Sequence, residues 1–413
     1  MRAELPHRPK RGRPVPHPLS RRTLAVVAGL VAGFLVGTVV AWRVLHPDDD
    51  GRAPSIPEIV GTTELGPLRQ HPRVNGRDNG QSTRYGDRSL WVFGDTVVRE
   101  PWKFISSTGA ATTDLRASDG ITITTTDVFG ANGAEPVDLL PYSPSEKAFT
   151  KKHAKERCTP KSDPNCGAQI GLWPGAIVAD PERDRVLVLY SKLCRQGPEN
   201  SRCSGPLGHG LGTGIAVIDM KTRRVTRLAA RDESVLQSVD GPDPTMFFPH
   251  ETGYTAAAVV VDDQLYVYGD CDSRCHLARA PIDDLADRSR WQFYAGRDGS
   301  GAAKWTADQD DSATNLSAGS AGNSVVRVPA LDAWLNVYLP PLSNTLTAQM
   351  GASPAGPWSR PFAVAETDNA GAGTNYAGFA HPEYAEQDGL VQYFSYYQQA
   401  TYQQRLIRVE FDD

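Results

Sequence analysis

Two hydrolase signatures are missing from this chain of 413 residues. It has no Gly-x-Ser-x-Gly elbow to present a serine nucleophile. It also has no His-Glu-x-x-His pair to seat a catalytic zinc. Both absences argue against serine esterases and zinc proteases. Long helical patterns are scarce, and Gly and Pro are frequent. Positive charge is short beyond residue 50, with 35 Lys+Arg against 44 Asp+Glu. An excess of nine negative charges makes nucleic acid or another anionic polymer a poor partner, and a neutral polysaccharide a better one. Phosphate-cradling loops need helix amides behind them. The run Gly208, Gly210, Gly212, Gly214 instead leads into a strand pattern at Ile215 to Met220 and reads as a flexible turn. No cofactor is expected.

Cysteine is limited to six residues in three close pairs: Cys158 and Cys166, Cys194 and Cys203, Cys271 and Cys275. Six cysteines allow 15 connectivities. Nearest-neighbour disulfides are the expectation, each clipping one loop of an exported domain. Cys271, Cys275 and His276 lack the spacing and second ligand pair of a zinc site. The cluster Asp308, Asp310, Asp311 and Ser312 lacks the Gly and distant Glu of an EF-hand loop. It reads as a solvated loop, so no metal site is expected.

The N-terminus stands apart. Residues 1–22 form a basic, Pro-rich tail with seven Arg or Lys residues. Thr23 to Trp42 is an uncharged, mostly apolar stretch, enough to span a bilayer core of about 30 Å. The basic flank should remain cytoplasmic and the C-terminal part should lie outside. A cleaved signal peptide is the rival, with Val39-Val40-Ala41 as its site, but the apolar run is long for that purpose. Gly29, Gly33 and Gly37 permit close helix contact. Residues 43–57, with Asp48-Asp49-Asp50-Gly51 and three prolines, read as a linker.

From about residue 58 a pattern recurs. Short apolar strands follow acidic or Gly turns at Ser89–Asp95, Arg185–Tyr190, Gln264–Asp270, Ala333–Tyr338 and Gly389–Phe394. Small-residue strands precede them and further strands follow. Period two and β-branched enrichment mark them as strands. Five units predict an all-β, five-bladed β-propeller over 58–413, with a β-sandwich as the alternative. Blades are expected at 72–130, 171–235, 250–297, 318–364 and 374–412. An insertion at 131–170 carries the first cysteine pair. Pro57 to Leu65 could close the ring beside the last blade.

Within the first unit, Arg77 to Tyr85 and Leu90 to Thr96 read as a hairpin about a turn at Gly86 to Ser89. Symmetric pairing puts Gly80 opposite Asp95 and makes Asp78 its diagonal neighbour, roughly 7–8 Å away. Both carboxylates then face the same way. Glycosidic cleavage uses a carboxyl pair at about 5–9.5 Å, and this spacing leans towards inversion. Two acids at one site push their pKa values apart, giving one protonated and one ionised group. The competing reading makes Asp78 a turn former before Asn-Gly and Asp95 a cap before Thr96.

Arg77-Asp78-Asn79-Gly80 followed by Leu90-Trp91-Val92-Phe93-Gly94-Asp95-Thr96 resembles the opening of a five-bladed propeller family. That family was long known only as a domain of unknown function, and was later recognised as endo-acting D-arabinofuranases of glycoside hydrolase family 183. Phe379-Ala380-His381-Pro382-Glu383 is similar to the last blade of such proteins. Ser353-Pro354-Ala355-Gly356-Pro357-Trp358 resembles a turn of propeller glycosidases. The resemblance implies hydrolysis of an arabinan-type furanoside polymer at the cell surface, with Asp78 and Asp95 as the catalytic pair. It implies Glu251, before the inner strand of blade three, as a reserve acid. Arg77, Asn79, His250, Asn323 and His381 are candidate sugar contacts, and Trp173 could stack on a sugar ring. The plain alternatives are an exposed loop residue for Glu251, a loop-fixing contact for His381 and packing between blades for Trp173. A non-catalytic propeller that binds envelope glycan or a partner protein is the second functional reading.

Overall fold

Leu90, Trp91, Val92 and Phe93 are all shut off from solvent. A strand buried on both faces needs a neighbouring sheet on each side, and a ring of blades supplies that. In the computed structural model, described for residues 52–412 except 134, 232–234, 270 and 272, five antiparallel sheets follow one another along the chain. Their innermost strands are Val74–Tyr85, Gln169–Asp180, Ala257–Val261, Ser324–Val328 and Tyr376–Ala380. Small residues dominate several of these, as in Ala-Ala-Val-Val-Val and Tyr-Ala-Gly-Phe-Ala, because five strands crowd one axis.

Five apolar clusters sit between successive blades. Leu90 and Val92 pack with Leu172 and Val188, and Leu187 with Leu265 and Val267. Tyr268 and Leu277 meet Val325. Val337 packs with Phe394 and Ile407, and Trp91 and Phe93 meet Tyr393 and Leu406. The last cluster joins blade five to blade one, so the ring closes. Ile59–Pro67 adds the outermost strand of blade five by pairing with Gln403–Phe411. Truncating Phe93 to Ala in such a site costs about 3–5 kcal/mol.

Blade three is longer than the sequence pattern indicates. Beyond residue 297 it adds Ala303–Thr306, and Thr314–Ser317 pairs with Arg274–Pro281 in the same sheet. The segment between blades one and two carries the helix Pro144–Lys152, capped by Ser143 and Glu146. Glu146 is buried and paired with Lys192 at 3.0 Å and Arg227 at 2.7 Å, which fastens the helix to blade two. All three disulfides join nearest neighbours: Cys158–Cys166, Cys194–Cys203 and Cys271–Cys275.

The basic tail, the apolar stretch 23–42 and most of the linker lie outside the described residues. Among the described residues no helix is long and apolar enough to cross a membrane. Asp308 caps the short turn Gln309–Asp311 by accepting from the Asp310 amide at 3.0 Å.

Candidate active site

One end of the propeller axis opens into a cavity of about 560 Å³. Every blade contributes to its wall: Asp78 and Asn79, then Trp173 to Gly175, then Thr255 and Ala256, then Ala321 and Gly322, then Tyr376. The backbone of blade one explains how Asp78 reaches it. The turn is tighter than the sequence suggests, with Tyr85 opposite Arg88. That shift makes Asp78, not Gly80, the natural partner of Asp95. Two bulges then break the ladder between Arg77 and Gln81. Asn79 and Gly80 take φ of 67° and 96°, a left-handed conformation that Asn and Gly adopt most readily. Asp-Asn-Gly therefore encodes a kink that turns Asp78 into the cavity.

Asp78 is half-buried and seated over Gly94, where any Cβ would overlap its Oδ1. Its Oδ2 accepts from the Tyr376 hydroxyl at 3.0 Å, and its carboxylate accepts from the Asp95 amide. Burial, and then the neighbouring Asp95 charge, push its pKa up to about 7. The hydrogen bond from Tyr376, the charge of Arg195 and the Asp95 amide pull the other way without cancelling the rise.

Asp95 has the opposite environment. Arg195 grips it with two hydrogen bonds, Nη1 to Oδ2 at 2.7 Å and Nη2 to Oδ1 at 2.8 Å. Trp173 Nε1 also donates to Oδ1 at 2.8 Å. Arg195 is 1% exposed, so this is a desolvated, bidentate pair. Its guanidinium lies between the Trp173 ring at 5.2 Å and the Phe104 ring at 4.9 Å. Two neighbouring carboxyl groups thus differ: one holds a proton near neutrality, and the other faces a fixed cation.

Trp173, His250 and Glu251 also line the cavity. His250 and Glu251 stand on the short turn His250–Thr252. The Gly-rich segment expected to be a flexible turn is instead largely strand, His209–Asp219. Gly210 lacks a Cβ because the His250 ring occupies that space. Asn79 donates to the Pro174 carbonyl at 2.5 Å, and its buried Oδ1 has no protein partner among the described residues.

Three expected sugar contacts are not brought to the cavity. Arg77 is 1% exposed, bonds Gln70 and lies 3.7 Å over the Phe93 ring. It falls on the far side of the strand because side chains alternate. Asn323 is fully buried, donates to Ser317 O and Asn336 Oδ1, and accepts from the Gly319 amide. His381 is fully buried between Ser82 Oγ at 2.6 Å and Ser395 Oγ at 2.8 Å, and stacks on Trp91. Burial depresses its pKa to about 3, so it is neutral at any ordinary pH. Sequence reasoning missed Arg195 and Tyr376. Tyr376 opens the inner strand of blade five, as Asp78 lies near the start of blade one's. Arg195 follows Cys194 directly, and its disulfide fixes that strand end.

A family model described as a domain of unknown function, DUF4185, matches residues 224–408. That stretch covers the end of blade two and most of the rest, but neither aspartate. No curated protein sequence matches. Among solved structures, the chain is similar to a Bacteroides ovatus ATCC 8483 protein provisionally assigned as a hydrolase. The TM-score is 0.53 at 14% identity, covering 83% of this chain and 86% of that one. It is also similar to a family 43 β-xylosidase/α-arabinofuranosidase from a compost microbial metagenome, with TM-score 0.43, 11% identity and 86% and 95% coverage. A Cellvibrio cellulosa α-L-arabinanase gives 0.40, 13%, 81% and 91%. At these identities the likeness concerns the fold.

Proposed function

We propose that this propeller is a glycoside hydrolase acting on an arabinofuranoside-type polysaccharide. The observation that carries it is the unequal pair: Asp78 holds a proton near neutrality beside Asp95, which is clamped by Arg195. Asp78 donates its proton to the leaving glycosidic oxygen. Asp95 is the second carboxylate. A backbone hydrogen bond from its own amide to Asp78 keeps the two groups close. That favours the separation of about 5–5.5 Å used in double displacement over a gap that holds a water. Asp95 then attacks the anomeric carbon, and Asp78 later activates the water that releases the sugar. The furanoside substrate rests on the resemblance of the Arg77–Thr96 stretch to D-arabinanases.

A second assignment has its own support. Glu251 lines the cavity, whereas the Asp95 oxygens are engaged by Arg195 and Trp173. In that version Asp95 only holds the proton on Asp78, and Glu251 works on the sugar from blade three. Incubating the chain with D-arabinan, L-arabinan and arabinogalactan, as wild type, Asp78→Asn, Asp95→Asn and Glu251→Gln, separates the versions. Oligosaccharide release abolished by Asp78→Asn and Asp95→Asn but not Glu251→Gln supports the aspartate pair. Abolition by Glu251→Gln supports the second. Binding without release, unchanged in all variants, supports a non-catalytic propeller. We place the enzyme outside the membrane, anchored through residues 23–42. Three disulfides favour an oxidising compartment.

A further inference from the structure

A second cavity of about 420 Å³ lies where the insertion meets blades one and two. Phe104 and Tyr142 supply aromatic surface to it, and Asp138, Gln169 and Thr150 supply polar groups. The Arg195 side chain separates it from the first cavity. Arg195 Nη2 bonds both Asp95 Oδ1 at 2.8 Å and Ser106 Oγ at 2.7 Å. Ser106 lines the second cavity and lies within hydrogen-bond reach of the Tyr142 hydroxyl. The stack of Trp173, Arg195 and Phe104 is therefore a common wall, with Trp173 on one side and Phe104 on the other.

We propose that this second cavity is a distal sugar subsite, occupied by a further residue of the polymer that reacts at Asp78. The inference rests on the glycosidase reading above. The chemistry selects the ligand. An aromatic face beside a carboxylate, an amide and hydroxyls matches a sugar ring, which has one apolar face and a rim of donors and acceptors. Asp138 is exposed at the rim of this cavity and has no hydrogen-bond partner in the protein among the described residues, so its oxygens can accept from sugar hydroxyls. Lys147 and Lys151 on the insertion helix would suit an anion, but Asp138 stands beside Lys147 and opposes one. A neutral sugar is the better fit. The insertion helix forms the far wall of this cavity, so the insertion adds binding surface beyond what blades alone provide.

The test uses Asp138→Asn, which removes the acceptor, and Ala154→Phe, which fills the space from its rim. Both are compared with wild type on arabino-oligosaccharides of increasing length. The expected result is a KM for long chains raised about tenfold in both variants, with kcat and short-chain KM unchanged. Long-chain KM unaltered in both variants, or raised equally for short chains, overturns the subsite. Calorimetric binding of the same oligosaccharides to Asp78→Asn, with and without Asp138→Asn, separates the two levels of argument. Length-dependent binding lost with Asp138→Asn, in a protein whose wild type shows no turnover, keeps the subsite and removes the hydrolase. Turnover without that length dependence does the reverse.

Discussion

Blades one and four each place a polar residue near the start of the innermost strand, and they use it in opposite ways. In blade four the ladder is regular across the three inner strands, and Asn323, Asn336 and Gln349 satisfy one another there. Nothing is left over for a ligand. In blade one the ladder is broken twice, and the break leaves Asp78 at the cavity and the buried Asn79 Oδ1 without a protein partner among the described residues. A regular sheet closes its polar groups on itself, and an interrupted one can deliver them elsewhere. The type of residue is thus a poorer guide to function than whether its strand pairing is intact.

The largest effect should come from blade one. Asp78→Asn keeps the Tyr376 and Asp95 amide neighbours but cannot donate a proton as an acid. It is expected to lower kcat by about 10²–10⁴-fold, measured as oligosaccharide release from arabinan. Far-ultraviolet circular dichroism should be unchanged. A variant with near-normal activity would remove the distinction between the two blades.

Arg195→Gln follows. It strips Asp95 of its cation and should lower kcat about 100-fold. It also removes a positive charge that draws the Asp78 pKa down. The alkaline limb of the rate profile should therefore move to higher pH than in wild type. An unshifted limb would show that Arg195 does not act on Asp78 electrostatically.

In wild type that limb has a defined place. Asp78 must be protonated to act, so the rate falls as pH rises through about 7. Stability carries the same sign. The folded pKa is raised above an ordinary carboxylate value of about 3.9, so the folded chain binds the proton more tightly. That contribution is complete below about pH 4 and is lost as pH rises through about 7. Asp78→Asn should remove this dependence. Denaturant melts at pH 5 and pH 8 should show the variant gaining about 1–3 kcal/mol relative to wild type at the higher pH.

Much of this was legible in the chain. Five recurrences of a buried strand predict five blades, because each needs cover on both faces. The cysteine spacing predicts the three local disulfides. Asp78 and Asp95 stand out through Asp-Asn-Gly and Gly-Asp-Thr. What was not legible depends on register. A turn shortened to Gly86 and Asp87 moves Asp95 from a diagonal to a direct neighbour, and bulges cannot be placed by counting. Arg195 lies 100 residues from Asp95 in the chain and meets it only where blades one and two pack side by side. His381 and Asn323 carry chemistry suited to sugars, but burial is set by blade packing that no local motif reports.

The smallest functional effect is expected from Asn323→Ala, which sharpens the comparison from its other side. The substitution removes two donated hydrogen bonds and the acceptor for the Gly319 amide. Asn336 and Gln349 remain and can re-pair in part. A loss of about 1–3 kcal/mol in unfolding free energy is expected, read from denaturant melts. Gly319 to Gly322 lines the cavity opposite Asp78, so KM should rise by no more than a few fold as that edge loosens. The kcat should stay within twofold of wild type, because no group near the reacting carboxyls changes. A large fall in kcat at temperatures where the variant is fully folded would mean that Asn323 reaches the sugar, and that regular pairing does not keep a polar residue out of the chemistry.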